Sequence, residues 1–125
     1  MKSLKDSRLV FITGRLDEIS SALDHLSDYD CTVVGFRTIQ EALENKSLAS
    51  STDLLIVDPT SFGNSETDHL GELKQGGYRC EIIVWLYALP ELRETFASND
   101  QVIHVLPSYM DFTMLYNKIF QLFSR

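Results

Sequence analysis

Asp58 is the residue of this sequence best placed to do chemistry, because it directly follows a short, unbroken apolar run, Leu54–Val57. A second apolar run, Leu9–Ile12, ends in Thr13-Gly14, which carries a hydroxyl but no charge. A carboxylate in such a place could bind a divalent cation, but Mg²⁺ needs several hard oxygen ligands, usually including one or two carboxylates. Asp58 is the only carboxylate that the sequence places at this point. We therefore predict no metal site.

The elements that position these residues can be read from the alternation of short apolar runs with stretches of helical period. The runs predict five strands: Leu9–Ile12, Thr32–Phe36, Leu54–Val57, Ile82–Leu86 and Val102–Leu106. The other stretches predict helices over 16–26, from Thr38, over 68–75, from Pro90 and from Phe112 to the end of the chain. Such alternation is typical of a parallel sheet with helices on both faces. We predict an α/β fold that forms one domain over residues 1–125.

In a sheet of this type, ligands and chemistry lie at the carboxyl ends of the strands. Those ends fall on Thr13-Gly14, Asp58-Pro59, Leu86-Tyr87 and Leu106-Pro107. We predict that the site there holds a single acid, Asp58, and no basic group nearby. Asp17 and Glu18 are predicted to occupy the first turn of the first helix, where acids favour the positive end of the helix dipole.

The order and spacing of these elements resemble the receiver domains of two-component response regulators over essentially the whole chain. The segment Asp53–Asp58 is similar to the third strand of that family, and Asp58 falls on the phosphoacceptor position. The separation between Gly14 and Asp58 is also the one expected of an ungapped receiver. The resemblance implies a flavodoxin-like, three-layer (βα)5 fold with a five-stranded parallel sheet in the order 2-1-3-4-5.

The sequence departs from the receiver family at its other chemical positions. The family's acidic pair falls on Thr13 and Gly14, and its Ser/Thr position falls on Leu86. The Lys-Pro motif falls on Leu106-Pro107, so the proline is kept and leucine replaces the lysine. Phosphoryl transfer to a carboxylate needs a cation to neutralise charge on the phosphoryl oxygens. These losses predict that the remaining aspartate is structural or vestigial.

The resemblance and the losses together predict a pseudo-receiver, a signalling domain that works without phosphorylation and through protein–protein contacts. Such a domain is not an enzyme and carries no cofactor. It would regulate an attached or partner effector, for example as the N-terminal module of a bacterial transcription regulator. Two alternatives stay open. The first is a working phosphoacceptor at Asp58, which would need Mg²⁺, and the second is a module that senses a small ligand.

The last predicted helix is apolar over more than one face, whereas a sheet covers only one stripe of a helix. We therefore expect part of this helix to contact a protein partner or a second copy of the chain. In receivers the fourth helix, the fifth strand and the fifth helix form the usual contact surface, so the resemblance implies an interface there. The candidate interface residues are Tyr109, Phe112, Tyr116 and Phe120.

Composition narrows the remaining function classes. The net charge of −7 argues against direct nucleic-acid binding by this domain, because that binding depends on clustered Lys and Arg. The chain has no apolar run of about 18 residues, so we expect no membrane span. The first residues lead into a strand without a secretory segment. Cys31 and Cys80 lack metal-ligand spacing and indicate structural thiols in a reducing compartment. We expect a cytoplasmic domain.

Overall fold

The computed structural model describes residues 3–59, 69–86, 96, 98–107 and 112–124, and for residues 86 and 107 it describes the backbone alone. The strands in these ranges are β1 (Arg8–Ile12), β2 (Thr32–Phe36), β3 (Leu54–Val57), β4 (Glu81–Leu86) and β5 (Val102–Pro107). The helices are α1 (Ser20–Ser27), α2 (Ile39–Glu44), α3 (Lys46–Ala49), α4 (His69–Gln75) and α5 (Phe112–Ser124). The helix predicted from Pro90 lies outside the described residues except at Phe96, which is helical.

The five strands form one parallel sheet in the order β2-β1-β3-β4-β5, which confirms the predicted fold class and strand order. Strand β1 lies between β2 and β3, with Ile12 opposite both Phe36 and Val57. The residues that follow these strands therefore meet at one edge of the sheet. This register brings Thr13 next to Asp58.

An aspartate closes the pairing of β1 and β3 at each end. At the carboxyl end, the backbone N–H of Asp58 donates to the carbonyl oxygen of Ile12 at 2.8 Å. At the amino end, the backbone N–H of Arg8 donates to Oδ2 of Asp53 at 2.8 Å, and the N–H of Asp53 donates to the carbonyl oxygen of Arg8 at 2.9 Å. These hydrogen bonds hold β1 and β3 together at both ends, in addition to the hydrogen bonds within the paired strands.

Apolar side chains cover both faces of the sheet, because successive residues of a strand point to opposite sides. On one face the sheet packs against α2, α3 and α4 through Val10, Ile12, Leu55, Val57, Ile82 and Val84. On the other it packs against α1 and α5 through Leu9, Phe11, Leu54, Ile56, Ile83 and Trp85. This two-sided burial is the reason that the strand sequences are unbroken apolar runs.

Helix α1 begins at Ser20, four residues later than predicted, so Asp17 and Glu18 precede the helix and do not occupy its first turn. The reason is the packing of Leu16 over Gly35 of β2, where a Cβ would come within 2.5 Å of the Cδ1 atom of Leu16. This contact holds the chain after β1 against the sheet before the helix can start.

Two other helix ends follow their sequence signals. The backbone N–H of Glu41 donates to Oγ1 of Thr38 at 3.1 Å, which confirms the predicted start of α2. Helix α4 is followed by Gly77, whose φ of 106° is one that glycine adopts without strain. The short helix α3 was not predicted. None of the described helices has the length and apolar character needed to cross a membrane.

Candidate functional site

The centre of the candidate site is a hydrogen bond between two buried side chains at the ends of β1 and β3. The hydroxyl of Thr13 donates to Oδ2 of Asp58 at 2.9 Å. Asp58 is 0% exposed and Thr13 is 1% exposed, so water does not reach either group. The backbone N–H of Thr13 donates to the carbonyl oxygen of Phe36 at 3.0 Å, which fixes the threonine against β2. A buried carboxylate needs such partners, since an unpaired one is strongly destabilising.

Arg15 brings a positive charge to Asp58, so the prediction of a site without a basic group was wrong. Its Nε atom lies 3.5 Å from Oδ2 of Asp58, and its side chain is 28% exposed. Its backbone N–H donates to Oγ1 of Thr13 at 3.1 Å, so the threonine hydroxyl is linked to both charged residues. The sequence places Arg15 only two residues beyond Thr13, at the end of a strand, but gives no signal for the direction of its side chain.

Arg15 also contacts the fourth strand. Its guanidinium carbon lies 5.8 Å from the centroid of the Trp85 ring, in a cation–π arrangement. The buried Trp85 ring in turn contacts the ring of Phe112 in α5, with 5.4 Å between centroids. One side chain therefore connects the acid after β3 to β4 and, through Trp85, to α5.

The remaining positions that the resemblance assigns to receiver chemistry hold no charged group. Gly14 is exposed beside Thr13. Leu106 is buried in the core between the sheet and α1 and α5. Leu86 and Pro107 are opposite each other in the register of β4 and β5, and their side chains lie outside the described structure. That Leu86 and Pro107 are degenerate positions of a receiver site stays a prediction.

Two aromatic residues of α5 lie against α1 and the turn that follows it. Of the four candidate interface residues, Tyr109 lies outside the described residues, and the other three are half-buried on α5: Phe112, Tyr116 and Phe120. The ring of Tyr116 is 4.9 Å from that of His25, and the ring of Phe120 is 4.9 Å from that of Tyr29. The predicted contact of this helix with a partner stays a prediction.

The donor set at Asp58 does not fit the magnesium ion that a receiver would hold. Its Oδ2 atom already accepts the Thr13 hydroxyl and has the Arg15 guanidinium 3.5 Å away, and this cation would repel a second one. Within the described ranges of the chain, no group of three or more His, Cys, Asp or Glu side chains could hold a metal ion.

The two acids that follow Gly14 do not complete a metal site. Asp17 is 83% exposed and accepts a hydrogen bond from Arg37 with 2.6 Å between Oδ1 and Nη2. This hydrogen bond and the charge of Arg37 lower the pKa of Asp17. Glu18 is exposed, and its Oε2 atom lies 3.9 Å from Nη1 of Arg15. Both acids are engaged with arginines outside the buried pair of Thr13 and Asp58.

No family model and no curated protein matches this sequence. Solved structures do match it in fold. A response regulator from Desulfuromonas acetoxidans is 14% identical, with a TM-score of 0.77 over 93% of this chain and 95% of that chain. A two-component response regulator from Clostridium difficile is 17% identical, with a TM-score of 0.74 over 96% of this chain and 98% of that chain. The chain therefore has the receiver-domain fold of response regulators.

Proposed function

We propose that this domain is a receiver-type signalling module that works without phosphorylation of Asp58. One observation carries the proposal: the carboxylate of Asp58 is fully buried and is engaged by the Thr13 hydroxyl and the Arg15 guanidinium. Phosphoryl transfer depends on positioning and on electrostatic stabilisation of the transferred group by cations, usually including a metal ion. Here a cation of the chain itself, Arg15, lies beside the acid.

Arg15 supplies the positive charge that receivers take from a metal ion and a lysine. The lysine position of this chain holds Leu106, which is buried and apolar. In the proposed mechanism the activating event is binding of a partner protein or of a second copy, and no phosphoryl group is needed.

The proposed output is the regulation of an attached or partner effector, such as a transcription regulator, through the surface that includes β5 and α5. The support for this class of function is the fold that the chain shares with response regulators. The full reading frame that encodes the chain shows whether the effector is attached. A helix-turn-helix or ATPase domain downstream supports an attached transcription regulator, whereas a stop codon supports a separate partner protein.

Phosphodonor treatment tests the central claim. The ¹⁵N-labelled domain is mixed with Mg²⁺ and beryllofluoride, and a second sample is treated with Mg²⁺ and acetyl phosphate and weighed by intact mass spectrometry. We expect the amide resonances of Thr13 and Asp58 to stay in place and the mass to stay unchanged. The matched control is Asp58→Asn, which lacks the carboxylate. A phosphoryl adduct that forms on the wild type and is missing from Asp58→Asn refutes the proposal and establishes a working phosphoacceptor.

A further inference from the structure

Three side-chain contacts in series lead from the buried acid to the last helix. The Nε atom of Arg15 lies 3.5 Å from Oδ2 of Asp58. The guanidinium of the same residue lies over Trp85 at 5.8 Å, and Trp85 contacts Phe112 at 5.4 Å between ring centroids. Phe112 is the first residue of α5. We propose that Arg15 couples the site at Asp58 to α5 through Trp85.

This proposal rests on the proposed function, because it assumes that the charge at the site is set by groups of the chain and by no phosphoryl group. It adds that the site at Asp58 acts on α5. The physical basis is the position of Arg15, whose side chain is 28% exposed while Asp58 is 0% exposed. When a substitution removes the negative charge at residue 58, the half-buried arginine can move into water at little loss of solvation.

Movement of Arg15 changes the surroundings of Trp85 directly. The indole loses a cation over its ring and keeps its ring contact with Phe112. Protein interiors are close-packed, so a shift of a buried ring as large as tryptophan displaces its neighbours. One such neighbour is the first turn of α5.

The aromatic side chains of α5 extend this contact along the helix. The rings of Phe112 and Tyr116 are stacked at 6.3 Å, and those of Tyr116 and Phe120 at 6.4 Å. Phe120 meets Tyr29, which is 44% exposed just beyond the end of α1. A partner that shifts α5 from this side would in turn move Trp85 and Arg15 relative to Asp58, because a coupling between two sites acts in both directions.

The test uses the single tryptophan of the chain, Trp85, as a reporter. Arg15→Gln removes the cation from the indole, and Asp58→Asn removes the charge that holds this cation. The matched control is Arg37→Gln, which removes an arginine from the exposed pair with Asp17. All three variants are compared with the wild type by ¹H–¹⁵N correlation spectra, without metal or phosphodonor.

We expect Arg15→Gln and Asp58→Asn to shift the indole N–H resonance of Trp85 and the amide resonances at the start of α5. Arg37→Gln should shift only resonances near residues 17 and 37. If Arg15→Gln does not fold, Asp58→Asn alone decides, because asparagine keeps the size of the side chain. Indole and α5 shifts no larger than those of Arg37→Gln overturn the proposal. A phosphoryl adduct on Asp58 would instead refute the proposed function, so the two failures are distinct.

Discussion

Replacing Thr13 with valine removes the hydroxyl that donates to Asp58 and leaves a side chain of nearly the same shape. The hydrogen bond is 2.9 Å long and both residues are buried, so no water replaces the lost donor. The backbone N–H of Arg15 loses its acceptor in the same variant. Comparison with the same change in an Asp58→Asn background therefore isolates the contact between Thr13 and Asp58.

The expected loss of stability follows from the charge of the acceptor. Hydrogen bonds to charged groups contribute about 1.5–3 kcal/mol, so Thr13→Val should lower the free energy of unfolding by about 2–3 kcal/mol. Thr13→Ser keeps the hydroxyl and loses one methyl group, which lowers the free energy of unfolding by about 1 kcal/mol. In an Asp58→Asn background the acceptor is neutral, and the effect of Thr13→Val should fall to about 1 kcal/mol.

Urea unfolding followed by far-ultraviolet circular dichroism measures these differences. The slope of the free energy against urea concentration should be the same for all variants, since none of them changes the surface exposed on unfolding. Equal losses for Thr13→Val and Thr13→Ser would refute the reasoning. An equal loss of unfolding free energy for Thr13→Val in the Asp58→Asn background and in the wild type would also refute it. The strength of the hydrogen bond would then not depend on the charge of the acid.

Three further outcomes are expected elsewhere in the domain. Tyr78→Phe removes a buried hydroxyl that donates to the carbonyl oxygen of Ala42 at 2.9 Å, and should lower the free energy of unfolding by about 1 kcal/mol in the same urea assay. Burial raises the pKa of the Cys80 thiol to about 11, so iodoacetamide at pH 8 should label Cys80 slowly in the folded protein and quickly in urea, as read by peptide mass spectrometry. Gly35→Ala places a Cβ 2.5 Å from Cδ1 of Leu16, but this atom is the far end of a flexible, half-buried side chain that can turn aside, so the free energy of unfolding should fall by less than about 1 kcal/mol. A loss of about 3 kcal/mol or more in the urea assay would show that Leu16 cannot move.

The strand pattern was predictable because it depends on local composition. A run such as Leu54–Val57, apolar at every position, fits a strand buried on both faces, and the sheet order followed from the resemblance to receivers. The same reasoning placed Thr13 beside Asp58, since neighbouring parallel strands end at one edge. The start of α2 was predictable from Thr38, whose cap is a contact between residues three apart.

The start of α1 and the role of Arg15 depend on contacts that the local sequence does not specify. The spacing of Leu16 from Ile19 and Leu23 suits a helix, and it equally suits a leucine that packs over Gly35 before the helix begins. Arg15 has a long side chain whose direction is set by the packing around it. In the sequence it is one of several scattered arginines, and only the register of β1 with β3 brings it to the acid.

The aspartates at the two ends of β1 and β3 have a consequence for motion. To separate these strands, the chain must release the bonds of Asp53 and Asp58 together with the core on both faces. Their amide hydrogens should therefore exchange with deuterium only when the whole domain unfolds, whereas the turns over 14–18, which are exposed at Gly14, Asp17 and Glu18, should exchange through small local openings. We therefore expect Asp58 to lie in the part of the chain that exchanges most slowly, and Arg15, which carries its counter-charge, to lie in a part that exchanges quickly.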